Sequence, residues 1–429
     1  MRIAIFIDNE GIADVDCQNL ELGNPGIGGT EYCVLLLAEQ YKRFYPDDQI
    51  FLLAVCPGKL PEVDGTVFVD SPMDVAGAFK KIGADMLVIS SVYHGEPIQR
   101  DFFDMIVKNK IKTIFWGHNF YLSDFCNYIA ECEYARANVF VGRQQYDRYL
   151  DHKVIKKSTF IYNMYPNPPY ESREKISNHT VTYIGSLVPT KGFHVLAHAW
   201  KEILKQVPDA ELNVIGSGKL YGRSSKLGQY GIAEESYEQQ FIDGVTDQDG
   251  AILPSVHFLG VLGAEKGAVI RDTCVGVVNP TGRTETFGIS ALDFESLGVP
   301  VVTIEKGGFL DTVIDKKTGL LYGTTDQLAE KVIMLLKDYV ANEEYGKNGI
   351  ALSKSFAPEN TIYRWNELFR NVYLNQMVTF QNPENFMTKN LKNIRWVNRR
   401  LKNKLRWEYP FSVIGLETFA RKVLRRLGK

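Results

Sequence analysis

The chain predicts an α/β fold of two domains, each a parallel sheet covered by helices, followed by a basic helical tail. Three observations carry that prediction. Short apolar runs alternate with helix-length segments, the alternation halts at a proline-rich stretch and then restarts, and positive charge gathers at one end. At 429 residues the chain exceeds one ordinary core. Hydrophobic residues make up 45% and charged residues 23%, a balance that excludes a disordered chain.

The first apolar runs are residues 3–7, 50–56, 86–90, 111–116 and 139–141. Their near-continuous hydrophobicity fits parallel strands, because helices cover both faces of such a sheet. Residues 163–169, NMYPNPP, hold three prolines and read as a linker. Alternation resumes with 181–184, 211–215, 256–259, 275–278 and 301–304, and Ala357-Pro358 precedes a last helix ending near Tyr373. The expected domains are 1–165 and 166–357, then a helix at 358–378 and a tail at 379–429. Six scattered cysteines lack the spacing of a zinc site or a disulfide framework, and Cys33, Cys56 and Cys274 read as core. No run approaches the roughly 18 apolar residues of a membrane span, and the amino-terminal apolar run is too short for a signal peptide. A cytoplasmic protein is expected.

The most informative segment is residues 284–302, TETFGISALDFESLGVPVV. Glu285 lies in a loop, Phe287 and Gly288 open a helix, and Ala291, Leu292 and Phe294 fall on its inner face. A helix starting near Phe287 puts Asp293 almost two turns in. At about 1.5 Å rise per residue, the two carboxylates can grip groups about 10 Å apart, the two ends of one nucleotide sugar. Gly288 removes a side chain where a ligand approaches backbone amides, and Gly298-Val299-Pro300 ends the helix and feeds a new strand.

This run resembles the signature of the retaining glycosyltransferases of family 4, whose fold is the two-domain GT-B type, with two Rossmann-like parallel sheets facing a central cleft. The signature reads Glu, seven residues, Glu, with Phe-Gly after the first acid and Gly-x-Pro-Val after the second. Here the second acid is the shorter Asp293. The resemblance covers roughly residues 1–375. It implies that Glu285 contacts hydroxyls of the transferred sugar, that Asp293 contacts the nucleotide ribose, and that Phe287 and Gly288 lie beside the donor.

Other segments join the same picture. The turn GNPGIGGTE from Gly23 opens a helix at Thr30, and free amides at a helix start suit a phosphate or substrate oxygen. By resemblance, Gly28, Gly29 and Glu31 line the cleft near diphosphate and acceptor. His118 follows run 111–116 and so stands at a strand's carboxyl end, where open α/β sheets bind ligands. The resemblance gives it a hydrogen bond to the donor sugar. In YIGSLVPTKGF, Lys191 follows run 181–184 and precedes a helix, a cation able to stabilise a departing diphosphate. The family adds an Arg five residues earlier; this chain has Ser186 there, and Arg283 is the candidate to supply the charge. Gly216-Ser217-Gly218 resembles the turn below the nucleotide, and VHFLG at 256–260 the strand whose following backbone reads the base. Lys306-Gly307-Gly308 with Asp311 matches a later Gly-Gly turn loosely. Asp14-Val15-Asp16 and Asp247-Gln248-Asp249 mimic the metal-binding triplet of a different fold, but the resemblance implies no metal and no cofactor.

From Lys389 to Lys429 thirteen Lys or Arg face two Glu, a net of +11, which leaves −13 on the rest of a chain of net −2. At about 100° per residue, Val413, Leu416, Ala420, Val423, Leu424 and Leu427 share one side, with Arg421, Lys422, Arg425, Arg426 and Lys429 on the other. Trp396 and Trp407 flank the preceding basic stretch, and such aromatics favour the lipid headgroup zone. Residues 389–429 are therefore expected on an anionic membrane surface, at the inner face, the other readings being packing on the protein's own acidic body or, more remotely, nucleic acid.

The expected activity is transfer of a hexose or N-acetylhexosamine, with retention, from a nucleoside diphosphate sugar, UDP preferred, to a hydroxyl of a glycan or lipid-linked glycan. Nucleic acid is not an expected partner. Rival readings keep the fold as an epimerase, a phosphorylase or a non-catalytic partner subunit. A nicotinamide oxidoreductase is disfavoured because the first strand is not followed by GxGxxG.

Overall fold

The computed structural model describes residues 1–90, 96–169, 177–218, 226–376 and 391–426. The chain forms two compact units. One comprises Met1–Asp14, Cys33–Asn163 and Thr361–Lys429; the other comprises Val15–Tyr32 and Met164–Asn360.

The first unit holds a seven-stranded sheet of β1 (Arg2–Ile7), β2 (Gln49–Ala54), β3 (Gly65–Phe68), β4 (Met86–Ser90), β5 (Thr113–Gly117), β6 (Ala135–Phe140) and β7 (Ser158–Phe160). All pairings are parallel, in the order β3-β2-β1-β4-β5-β6-β7. The second unit has six parallel strands: β8 (Thr180–Ile184), β9 (Glu211–Ile215), β10 (Val256–Gly260), β11 (Val275–Val278), β12 (Val301–Ile304) and β13 (Gly319–Tyr322). Their order is β10-β9-β8-β11-β12-β13. In both sheets the strand order reverses once, between β1 and β4 and between β8 and β11. In open α/β sheets, ligands bind at the carboxyl ends of the strands flanking such a reversal.

All ten apolar runs become strands, the fifth beginning earlier than expected, at Ala135. Three strands are additional. β3 alternates between half-buried and exposed because it is an edge strand, so it lacks the apolar signal of the interior ones. β7, with three residues, is too short for a periodicity to register, and β13 is a Gly-Leu-Leu-Tyr run at the edge of its sheet.

The cores follow from this layering. In the first unit Ala4, Phe6, Leu87, Ile89 and Phe115 meet helix residues Phe102, Phe103 and Ile106. In the second, Val181, Tyr183, Leu212 and Val214 meet Phe193, Leu196, Trp200 and Ile203 of the helix Phe193–Gln206. The helix Pro358–Tyr373 ends where the sequence implied. Its Trp365 ring lies 4.7 Å from Trp116 and its Phe369 ring 5.0 Å from Tyr41, within the first unit.

That helix is not the last. The helices Lys392–Leu405 and Val413–Arg426 follow, both in the first unit. Arg395, Asn398 and Lys402 are buried, whereas Ile394, Val397, Leu401 and Leu405 are exposed. On the second helix Val413 and Ile414 are buried, while Leu416, Phe419, Val423 and Leu424 are exposed. The expected apolar side of that helix is thus split, Val413 turning inward and the others outward. Lys389, Leu427 and Lys429 lie outside the described residues. Among the described residues no helix is long and apolar enough to cross a membrane.

Candidate functional site

The loops at the β8/β11 reversal carry the densest set of expected site residues. After β8, Gly185 and Ser186 lead into a short turn in which Val188 N–H donates to the Ser186 carbonyl (2.9 Å) and Lys191 N–H to the Val188 carbonyl (3.0 Å). The Tyr183 hydroxyl donates to the Lys191 carbonyl (3.0 Å), fixing the residue's backbone. After β11, the chain turns at Asn279, φ 28°, and again at Thr284, φ 60°, both left-handed positions that non-glycine residues occupy at a cost of roughly 1–3 kcal/mol. Those turns bring Glu285 back toward the sheet end.

Lys191 and Glu285 meet there. Lys191 Nζ lies 3.0 Å from Glu285 Oε2, and Asn279 Nδ2 donates to the same oxygen at 3.3 Å. Gly288 N–H donates to Oε1 at 3.1 Å, so the Glu285 carboxylate also caps the helix Ile289–Glu295. Gly288 sits at φ 89°, and a Cβ there would come within 2.7 Å of the Phe309 ring, which explains glycine at that position. Burial pushes the Glu285 carboxyl up, but Lys191, Asn279 and the Gly288 amide outweigh it, and the net shift is downward. The site therefore holds an ionised acid and a cation in contact.

The helix begins at Ile289, two residues later than expected, so Asp293 is just over one turn in rather than almost two. Ala291, Leu292 and Phe294 are fully buried, as the pattern required. Asp293 is itself buried, its Oδ2 3.1 Å from Lys266 Nζ and its Oδ1 accepting from the Tyr165 hydroxyl at 3.2 Å. Tyr165 also meets Ser296 Oγ at 3.1 Å. Lys266, Tyr165 and Asn279 went unremarked in the sequence. The usable signals were an Asn-Pro pair ending an apolar strand and a lysine placed among inward helix positions.

The remaining expected residues occupy several turns and helix starts. Ser186 is buried. Gly216, at φ 145°, ends β9 where any Cβ would overlap the Gly185 carbonyl oxygen, so it locks the turn beside the β8 loop. Phe287 is buried with its ring 5.4 Å from Phe356, a core contact rather than an exposed platform. Gly308 N–H donates to the Glu285 carbonyl at 3.1 Å, so the Lys306-Gly307-Gly308 turn braces the acid's backbone. Arg283 is exposed, and its charge helps to depress the His194 pKa after burial and His198. Gly28 and Gly29 open the helix Gly29–Phe44, with Tyr32 N–H on the Gly28 carbonyl (3.0 Å) and the Glu31 carboxylate folded over Gly28. Asp247 is occupied in its own turn, accepting from Asp249 N–H and Ala251 N–H, both at 2.9 Å.

His118 belongs to the first unit. It follows β5, is buried, and lies with its ring 4.3 Å from Trp116. Burial pushes its pKa down to about 3 against a smaller upward pull from Asn163. At neutral pH it is an uncharged imidazole.

The description Glycosyl transferases group 1 matches residues 171–351. An uncharacterized glycosyltransferase of Methanocaldococcus jannaschii is 28% identical over 182 residues, 42% of this chain and 44% of that protein. The capsular polysaccharide biosynthesis glycosyltransferase CapM of Staphylococcus aureus is 27% identical over 174 residues, 40% of each chain. The chain thus spans less than half the length of the curated relatives it matches. Among solved structures, Anabaena HepE in complex with UDP-glucose superposes with a TM-score of 0.64 at 15% identity, covering 86% of this chain and all of that one. This chain accordingly has the GT-B fold, two parallel-sheet α/β domains with a helical carboxyl-terminal region, and its residues 171–351 are similar to the glycosyl transferases group 1 family.

Proposed function

We propose that the protein is a metal-independent, retaining glycosyltransferase of family 4 that moves a hexose or N-acetylhexosamine from a nucleoside diphosphate sugar to a hydroxyl of a glycan or lipid-linked glycan. The observation that carries this reading is the Lys191–Glu285 pair at the sheet reversal of the second unit. A donor diphosphate is a better partner for Lys191 than one carboxylate, because it carries about two negative charges as it leaves. Lys191 then neutralises the leaving group, while Glu285, held by Asn279 and Gly288, accepts from sugar hydroxyls. Ser186 and the loop amides donate to phosphate oxygens, with Arg283 adding charge from outside. Asp293, steadied by Lys266, accepts from the ribose. His118, uncharged, donates a hydrogen bond to the transferred sugar.

The proposed reaction proceeds on one face: the glycosidic C–O bond to phosphate breaks as the acceptor oxygen arrives, and the leaving phosphate takes the acceptor proton. UDP is the favoured nucleotide, in line with the UDP-glucose complex of HepE, and a cell-surface polysaccharide the favoured product, in line with CapM.

A panel of UDP- and GDP-sugars, scored by binding and by slow donor hydrolysis without acceptor, tests the reading. Lys191→Ala and Glu285→Ala are expected to lower turnover by about 10²–10³-fold or more while the protein stays folded. Near-normal turnover in both variants would remove the assignment. Donor binding without hydrolysis or transfer would instead mark a non-catalytic subunit.

A further inference from the structure

We propose that the carboxyl-terminal helix pair is a bilayer-docking surface whose apolar stripes enter lipid. The proposal rests on how this basic tail is folded, and it is independent of the glycosyl-transfer reading.

An amphipathic helix on a globular protein ordinarily turns its apolar stripe to the core. The helix Lys392–Leu405 does the reverse. The reason lies in the segment beneath it, Arg148 to His152, whose carbonyls need donors. Arg395 Nη1 donates to the Arg148 carbonyl (2.7 Å), Arg399 to the carbonyls of Leu150 (2.8 Å) and His152 (2.7 Å), and Lys402 to that of Asp151 (2.8 Å). The Asp151 carboxylate, fully buried, accepts from Asn398 Nδ2 (2.9 Å) and from Val413 N–H (2.7 Å), and so clamps both tail helices. Arg395 and Glu417 close the clamp at 2.6 Å.

The consequence is an outward apolar face. Ile394, Val397, Leu401 and Leu405 recur at a helical spacing with exposures of 48–59%, and Leu416, Phe419, Val423 and Leu424 do so on the next helix with 38–68%. Trp407 and Phe411, between the helices, are also exposed. So many large apolar side chains exposed along two consecutive helices mark an interaction site.

Charge identifies the occupant. The stripes are bordered by exposed Arg400, Lys404, Arg406 and Arg421, and a second copy of the chain would set these cations against their own counterparts. A bilayer containing anionic lipid matches both the apolar stripe and the positive border. Where the helix Lys392–Leu405 meets the first unit there is a cavity of about 560 Å³, lined by Lys156, Lys392, Arg399, Arg400 and Trp396. Asp147 also lines it, 3.2 Å from Lys392 Nζ, and Glu408 binds Lys156 (2.7 Å) and Arg399 (2.5 Å), so the four cations outnumber the acids there. Arg400 lies 3.7 Å over the Trp396 ring.

The test is flotation of the full chain with vesicles of phosphatidylcholine alone and of phosphatidylcholine mixed with phosphatidylglycerol. The wild type is expected to float with the mixed vesicles, with tryptophan emission shifting to the blue. The double variant Leu401→Asp, Phe419→Asp changes exposed positions only, so its melting should be unaltered. Its vesicle affinity should fall by about tenfold or more for each large side chain withdrawn from lipid. Arg400→Glu should reduce the preference for anionic vesicles. Unchanged flotation of the double variant would overturn the proposal, as would wild-type protein that ignores both vesicles and self-associates through these helices.

Discussion

Glu285 stands between opposing influences, and the balance sets its behaviour with pH. Because its carboxyl is held below the ordinary carboxylate range, the Lys191–Glu285 pair contributes stability that is present above about pH 4.3 and is lost as pH falls further. Two buried histidines of the first unit act over a different window. His118 and His152 are each pushed down to about 3, chiefly by burial, whereas an unfolded histidine titrates near 6.5. Between those values the unfolded chain binds more protons, so stability should fall by up to about 1.4 kcal/mol per pH unit per histidine as pH drops from about 6.5 toward 3. Glu295 has the opposite sign: burial raises its carboxyl well above the usual range, so its contribution is lost as pH rises. Denaturant unfolding from pH 4 to 7 checks this. Replacing His152 by Gln should flatten the first unit's acid slope, and Glu295→Gln should stabilise the second unit at neutral pH. Since His118 is already neutral above about pH 3, its titration should place no limb near 6.5 in the activity profile.

At the level of elements, the turns after the strands do most to build the site. Gly216 is the hinge pin of the β9 turn, packed against the Gly185 carbonyl that starts the Lys191 loop. Gly216→Ala should cost roughly 1–3 kcal/mol and weaken nucleotide binding as well, because the displaced strand end carries the β8 loop with it. A substitution that lowered melting but left nucleotide affinity intact would separate the two effects. The tail depends on a single buried carboxylate in the same way. Asp151→Ala removes the acceptor of Asn398 and Val413 N–H and one of the two carboxylates facing buried Arg395, which keeps Glu417, so the loss should fall below the roughly 3–5 kcal/mol of a fully broken buried pair. The loss is measurable by denaturation, and protease sensitivity should rise first between the two tail helices.

On the scale of the whole molecule, the two units have separate cores and separate sheets. Heating is expected to give two transitions, of which a bound nucleoside diphosphate raises the one belonging to the second unit, by about 2.7 kcal/mol at a hundredfold excess over Kd. A shift confined to the other transition would contradict placing the nucleotide at Lys191 and Glu285. The alternation of apolar runs determined both parallel sheets without help from tertiary contacts, since a strand covered on two faces is mostly apolar, as residues 86–90, 275–278 and 301–304 are. The edge strand β3 was hidden because one of its faces meets water. The meeting of Lys191 with Glu285, 94 positions apart, was decided only when β8 and β11 became neighbours. The same holds for Lys266 on Asp293 and for the inward turn of Arg395, Arg399 and Lys402. Periodicity reports which residues share a helix side, but which side faces the protein depends on the acceptors beneath it. Here those acceptors are the carbonyls of residues 148–152, and they drew the charged side inward.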